Sequence, residues 1–171
     1  AGIEHLSGLA NRTAGLEFAS TGTFSCSRPI IRGLSQLTRV GDEQNGELVR
    51  NELLRAGVDV SHVIADPGHL TALVFLSIRD EHNFPLLFYR NDCADMALTV
   101  DDIDETLIAS SRALLISGTH LSRDSTRAAC RKAIAIAVRA RTRVVLDIDF
   151  RPVLWGLRPL ADGATRYVES F

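Results

Sequence analysis

The sequence predicts an α/β fold built on parallel strands. An apolar run at 113–117, an Ala- and Ile-rich helical stretch at 124–140 and a second apolar run at 144–148 follow in the order strand, helix, strand. Such units form parallel pairs with a right-handed crossover, so both strands are expected to be buried and to end at the same sheet edge. With 171 residues, 46% of them hydrophobic, the chain can bury one core, although it is short for a complete two-substrate enzyme.

The amino-terminal part of the chain has a different character. Residues 19–35 are rich in Ser, Thr, Gly and Arg and show no sustained period, so we expect no regular structure there. Regular patterns begin at Leu37. We therefore divide the chain into an atypical N-terminal segment, 1–36, and a domain formed by 37–171.

Three further elements follow in order along this domain. Residues 42–56 have apolar side chains on one face and precede Gly57, which predicts a helix that stops at this glycine. Two β-prone runs, 71–78 and 85–89, are separated by a polar turn and predict a hairpin. The sequence from Thr99 has the Ser/Thr-x-x-acid pattern of a capping box and predicts the start of a short helix.

The composition argues against several classes of protein. A formal net charge of -2, a pI near 6.2 and scattered arginines give no electrostatic case for nucleic-acid binding. No apolar run approaches the roughly 20 residues of a membrane helix, and the amino end lacks the pattern of a secretion signal. The three cysteines and five histidines are dispersed, so we expect neither disulfides nor zinc, and a cytoplasmic location.

The most informative stretch is the end of the last apolar run. The run stops at Asp147 and Asp149, followed by Arg151 and a proline that turns the chain away from the sheet. Ligands of parallel sheets bind at this carboxyl edge. Carboxylates accept hydrogen bonds from sugar hydroxyls, and a guanidinium offers a fork of donors for a carboxylate or phosphate. The pattern therefore predicts a site for a small, oxygen-rich, anionic molecule.

Other polar residues are expected near the same edge. Gly118 and Thr119 follow the first strand of the unit, and Tyr89 with Arg90 ends the hairpin. Gly118 by itself is equally consistent with a simple turn, and an arginine beside an edge strand is commonly solvated. We expect His120, a single histidine on a loop, to pack or cap rather than to bind a ligand.

Five further segments are informative when they are taken together: Thr38–Gly46, Leu54–Asp59, Phe88–Leu98, Ile116–Ser122 and Asp147–Trp155. Together they resemble the ribokinase-like (pfkB-type) carbohydrate kinases. The resemblance covers about Leu37 to Leu157 and is closest to the branch that phosphorylates 5-dehydro-2-deoxygluconate in myo-inositol catabolism, with 2-keto-3-deoxygluconate kinases or other ribokinase-like sugar kinases as the alternative.

The resemblance implies a three-layer α/β/α domain with a small β-sheet lid that contains the 71–90 hairpin, incomplete in this chain. Such kinases transfer the γ-phosphoryl group of ATP to a primary hydroxyl of a sugar or sugar acid with Mg²⁺, and the lid of this chain is a candidate homodimer contact. The resemblance implies six contacts to the sugar acid. Tyr89 and Arg90 would reach it from the lid, and Gly118 and Thr119 would line the floor of the site. Asp149 and Arg151 would lie at the acid end.

The sequence also departs from this family. Members of the family carry a Gly-Gly segment with a substrate-binding asparagine near their start, and no such segment is found before Leu37. They also carry a Gly-Ala-Gly-Asp motif that contains the catalytic aspartate, and this motif is absent here. The Asp-Gly-Ala-Thr sequence of residues 162–165 is not equivalent to it. We therefore assign no catalytic, ATP-binding or metal-binding residue, and expect a kinase truncated at both ends and inactive by itself. A shifted reading frame before Leu37 is one hypothesis for the abrupt start of the pattern.

Parts of the sequence are also compatible with two other classes of protein. Asp147 and Asp149 match the Asp-x-Asp of haloacid-dehalogenase-type phosphatases, in which the first aspartate is the nucleophile beside Mg²⁺. Those enzymes usually carry Thr or Val where this chain has Arg151, and place the motif on an early strand. The other alternative is a non-catalytic remnant that binds no sugar.

Overall fold

The structure, a computed structural model, describes residues 18–20, 33–76, 80, 86–150 and 152–155. Eight strands lie within these residues: β1 Phe18–Ser20, β2 Leu34–Gln36, β3 Thr38–Gly41, β4 Val63–Asp66, β5 Leu73–Leu76, β6 Leu86–Tyr89, β7 Ala113–Ser117 and β8 Arg143–Asp147. Three α-helices accompany them: α1 Gln44–Arg55, α2 Glu105–Ser110 and α3 Asp124–Ala140. Short 3-10 helices occupy Ala94–Ala97, Val100–Asp102, Gly118–Ser122 and Pro152–Trp155.

A four-stranded parallel sheet in the order β2-β1-β7-β8 is the base of the fold. The predicted strand–helix–strand unit is confirmed as β7-α3-β8, and α3 has the predicted bounds. Ala129, Ala133 and Ala137 repeat every four residues along α3 and are fully buried, which lets the helix lie close against the core. The predicted α/β class is therefore confirmed.

Two expectations about this sheet were wrong. Regular structure was not expected within 19–35, yet β1 and β2 include residues of that stretch; three-residue strands are too short to leave a periodic signal. The last strand was expected to be buried, but Val144 is 36% exposed, and Ile148 lies beyond the end of β8 and is 61% exposed. Within the described residues β8 is an edge strand, so only its β7 side is paired.

The predicted helix before Gly57 is confirmed as α1. Glu43 caps it by accepting hydrogen bonds from the backbone N–H groups of Asn45 and Gly46, and Gly57 ends it with a φ of +78°. Gly46 sits where α1 crosses the end of β3, and a Cβ built there would lie 1.9 Å from the Gly41 carbonyl oxygen. The glycine is thus required for the close approach of the helix to the strand.

A buried ion-pair cluster joins β3, β4 and the Val100–Asp102 turn. The Arg39 guanidinium donates to both carboxylate oxygens of Asp102, at 2.9 and 2.8 Å, and to Asp66 at 2.8 Å. Burial alone would raise the pKa of Asp66, but hydrogen bonds from Arg39, the Gly68 N–H and His69 outweigh it and lower this pKa to about 2. The cluster stabilises the packing of β3 against β4.

The predicted hairpin is confirmed as the antiparallel pair β5 and β6. Its base is fixed by two hydrogen bonds: the Ala94 N–H donates to the Leu70 carbonyl at 2.9 Å, and the Gly41 N–H donates to the Thr71 side-chain hydroxyl at 2.9 Å. This hairpin, called the lid below, exposes apolar side chains on both faces, among them Val74 and Phe75.

The predicted capping box is also confirmed. The Thr99 side chain and backbone both bond to Asp102, although the element they cap is a single 3-10 turn, and the α-helix that follows, α2, is capped by Asp104.

Within the described ranges, no helix has the length and apolar character needed to cross a membrane.

Candidate functional site

The carboxyl ends of β7 and β8 lie side by side, as predicted. Ser117 pairs in register with Asp147, so the turn after β7 and the segment after β8 leave the sheet at the same edge. This brings together Gly118 and Thr119 from one turn with Asp149 from the other. In parallel sheets this edge is where ligands bind.

The turn after β7 is buried and held by its own hydroxyls. The Ser117 and Thr119 side-chain oxygens are 2.9 Å apart, and the Ser122 hydroxyl donates to the Thr119 carbonyl at 2.7 Å. Gly118 and Thr119 are both buried. The predicted floor is therefore rigid, and the Thr119 hydroxyl is already engaged with a neighbour; contact of either residue with a substrate stays a prediction.

The segment after β8 turns sharply at Asp149. This residue is partly buried and has a φ of +23°, a left-handed conformation that aspartate tolerates better than most residues. The ring of Phe150 packs against the buried Trp155, with centroids 6.3 Å apart. Unusual backbone conformations are common at binding sites, which agrees with the prediction for Asp149 without testing it. Arg151, the predicted acid-end contact, lies outside the described residues.

The two lid residues of the prediction differ in their surroundings. Tyr89 is exposed and stacks edge-on against Phe75, with ring centroids 5.5 Å apart. Arg90 instead turns inward, and its Nε donates to Asp95 Oδ2 at 2.6 Å, with a second contact from Nη2 to the same oxygen. The Arg90 charge is therefore largely neutralised by Asp95, a partner that the sequence did not reveal.

His120 is buried beside this ion pair. Burial and, to a lesser degree, the positive charge of Arg90 lower its pKa to about 4, although the negative charge of Asp95 partly opposes them. The imidazole is therefore neutral at physiological pH. The expectation that His120 packs in the protein agrees with its burial, whereas its placement near Arg90 and Asp95 could not be read from the sequence.

A separate depression lies at the start of α1. Its volume is about 490 Å³, and its lining carries three carboxylates, from Asp42, Glu43 and Glu47, against one guanidinium, from Arg50. A surplus of negative charge disfavours a sugar acid or a nucleotide. We therefore place the candidate site at the edge of β7 and β8.

No group of three or more His, Cys, Asp or Glu side chains suited to a metal ion occurs in the described part of the chain.

The fold is shared with solved carbohydrate kinases. A PfkB protein from Polaromonas sp. JS666 superposes with a TM-score of 0.75 at 21% identity, covering 91% of this chain and 63% of that protein. A fructokinase from Xylella fastidiosa, solved with bound ATP, gives a TM-score of 0.72 at 19% identity, covering 80% of this chain and 41% of that protein. These likenesses show that the chain has a ribokinase-like α/β fold.

The sequence defines the family more closely. Residues 34–167 match the pfkB family of carbohydrate kinases, and the chain belongs to this family. The predicted family is thereby confirmed, and the kinase hypothesis is favoured over the phosphatase hypothesis.

One relative illustrates how much of such a protein is present. The 5-dehydro-2-deoxygluconokinase of Halalkalibacterium halodurans is 37% identical over 118 residues, which amount to 68% of this chain and 36% of the relative. The chain therefore spans about a third of the length of the relatives it matches.

The division of the chain into an atypical N-terminal segment, 1–36, and a domain, 37–171, stays a prediction.

Proposed function

We propose that this chain carries the sugar-acid-binding part of an ATP- and Mg²⁺-dependent kinase for 5-dehydro-2-deoxygluconate in myo-inositol catabolism, acting in the cytoplasm. The observation that carries the proposal is its identity, 37% over 118 residues, with a relative named for that reaction. The joint placement of Gly118, Thr119 and Asp149 at the edge of β7 and β8 supports it. The absence of the Gly-Ala-Gly-Asp sequence indicates that phosphoryl transfer needs residues other than those of this chain.

The assignment of contacts within the proposal follows charge. Arg90 is engaged with Asp95, so Arg151 is the better candidate for the substrate carboxylate, and a planar guanidinium binds a carboxylate through two parallel hydrogen bonds. Tyr89, exposed at the end of β6, is free to approach the sugar from the lid. Asp149 is suited to accept hydrogen bonds from sugar hydroxyls.

Isothermal titration calorimetry tests the proposal. The chain is titrated with 5-dehydro-2-deoxygluconate, with 2-keto-3-deoxygluconate and with ATP in the presence of Mg²⁺. We expect the first sugar acid to bind more tightly than the second, and ATP not to bind. Tighter binding of 2-keto-3-deoxygluconate would assign the chain to that kinase, and absence of binding by either sugar acid would favour a non-catalytic remnant.

Two variants examine the contact at the acid end. Arg151→Ala should weaken sugar-acid binding by roughly tenfold or more, since a hydrogen bond between charged groups contributes about 1.5–3 kcal/mol. The matched control is Arg139→Ala, which removes an exposed arginine of α3 that bonds to Glu105. Equal affinities of the two variants would contradict the role of Arg151.

We also propose that the lid mediates a homodimer. Phe75 is 54% exposed, and Leu73 and Tyr89 are exposed on the same face of the hairpin, so the lid offers a contiguous apolar surface. Sedimentation velocity should show a dimer that Phe75→Lys dissociates. Leu48→Lys, at a leucine of α1 with similar exposure of 56%, should leave it intact. A native chain that sediments as a monomer at all concentrations would contradict this proposal.

A further inference from the structure

Two buried side chains near the candidate site retain polar atoms without a partner. Asp95 Oδ1 and both ring nitrogens of His120 have no hydrogen-bond partner in the described part of the chain. Asp95 is 5% exposed and His120 1% exposed. Leaving such atoms unpaired in the interior destabilises the folded state, so native proteins rarely do so without a reason.

Hydrogen bonds hold the Asp95 carboxylate and the backbone near both residues in place. Arg90 contacts only the Oδ2 atom of Asp95, which leaves the Oδ1 atom directed elsewhere. The first turn of α3 fixes both backbones: the Ser125 hydroxyl donates to the Met96 carbonyl at 3.2 Å, and the Thr126 hydroxyl donates to the His120 carbonyl at 2.5 Å. The unpartnered atoms therefore belong to an ordered cluster, close enough for Arg90 and Asp95 to act on His120 electrostatically.

The charges in the cluster indicate which chemical group it fits. Arg90 and Asp95 neutralise one another, and a neutral imidazole offers one donor and one acceptor. A carboxylate or phosphate would meet the Asp95 carboxylate, and a cation would meet Arg90. A hydroxyl group donates one hydrogen bond and accepts others, and so satisfies Asp95 and His120 without adding a charge.

We propose that Asp95 and His120 form a subsite for one hydroxyl group of the sugar acid, with Arg90 fixing the Asp95 carboxylate. This inference rests on the proposed function and adds a determinant of which sugar is bound. His120 follows Gly118 and Thr119 directly, so the subsite continues the floor of the crevice at the end of β7. The Arg90 side chain of the cluster retains 11% exposure.

Deoxy analogues of the sugar acid provide the test. The native chain is titrated with 5-dehydro-2-deoxygluconate and with analogues that each lack one further hydroxyl. We expect one analogue to bind at least about tenfold more weakly than 5-dehydro-2-deoxygluconate, because the missing hydroxyl leaves Asp95 and His120 without a hydrogen-bond partner. In His120→Leu this ratio should fall towards one for that analogue alone, and His120→Asn, which keeps a donor and an acceptor, should restore part of it.

The matched control is His62→Leu, which replaces a histidine paired with Asp104 away from the crevice and should leave every ratio unchanged. Imidazole ¹⁵N NMR of the native chain makes the same test without a variant that could misfold. The His120 resonances should shift with the natural sugar acid and not with the discriminated analogue.

The outcomes separate the two proposals. Sugar-acid binding with ratios that His120→Leu does not alter, or with no His120 shift, overturns the subsite and leaves the proposed function standing. A crystal structure of the sugar-acid complex with a water between Asp95 and His120 likewise overturns it, since the hydroxyl then comes from solvent. Failure of the native chain to bind any sugar acid overturns both.

Discussion

Replacing Asp66 with asparagine isolates the contribution of the ion-pair cluster that joins β3 to β4. The substitution keeps the shape of the side chain but removes the charge that meets Arg39, the Gly68 N–H and His69. A pKa lowered from 3.8 to about 2 corresponds, at about 1.4 kcal/mol for each tenfold change in proton affinity, to about 2 kcal/mol of folding stability at neutral pH.

The pH dependence of this contribution has a definite sign. Because the pKa of Asp66 is lower in the folded protein, the stabilisation is fully present above the unfolded value near 4 and is lost as the pH falls through 4 towards 2. Urea denaturation at pH 7 should give a free energy of unfolding about 2 kcal/mol lower for Asp66→Asn than for the native chain. The difference should shrink when both are measured near pH 3.

The control is Asp101→Asn, which removes an exposed carboxylate of the neighbouring turn and should change the free energy of unfolding by less than about 0.5 kcal/mol. The reasoning would be refuted by a difference between native and Asp66→Asn protein that is as large at pH 3 as at pH 7. A difference below about 0.5 kcal/mol at pH 7 would refute it equally.

Three further substitutions are measured by the same urea denaturation at pH 7. Gly46→Ala should lower the free energy of unfolding by about 1–3 kcal/mol, since its methyl group would collide with the Gly41 carbonyl; an increase, as helix propensity alone predicts, would contradict this. Arg141→Gly should raise the free energy of unfolding by about 0.5–1 kcal/mol, because Arg141 ends α3 with a φ of +60°, which glycine adopts without strain. Ala135→Gly, within the helix, should lower it by about 1 kcal/mol. Changes of the same sign in both variants would contradict the left-handed conformation of Arg141. Asp104→Ala should lower it by about 1 kcal/mol by removing the cap of α2, and an unchanged midpoint would show that the cap contributes nothing.

The elements that were predicted well are those in which local chemistry and tertiary packing agree. The buried alanines of α3, the glycine after α1 and the polar turn of the lid each leave a signal within a few residues. From the β7-α3-β8 unit the sequence also predicts that the turns after both strands share one sheet edge, because parallel crossovers allow little else.

What could not be predicted depends on partners distant in the chain. The pairing of Arg39 with Asp102 spans 63 positions, and nothing near either residue marks it. Asp95 follows Arg90 by five residues, and this spacing does not place two side chains together in a regular helix or strand. The pairing that neutralises the Arg90 charge was therefore not predicted. The exposure of β8 was mispredicted because an apolar strand sequence does not state whether a neighbour covers its outer edge.

The construction of the lid has a consequence for how the molecule opens. The lid consists of two four-residue strands with exposed apolar residues, and it is fixed to the rest of the domain near Leu70 and Thr71. It can therefore open locally while the rest of the domain stays folded. Hydrogen exchange should therefore separate the chain into two cooperative units. Amides of β5 and β6 should exchange through local opening, whereas those of β7, buried between β1 and β8, should exchange only when the whole domain unfolds. Tyr89, at the end of β6, then moves with the lid at little cost to the fold.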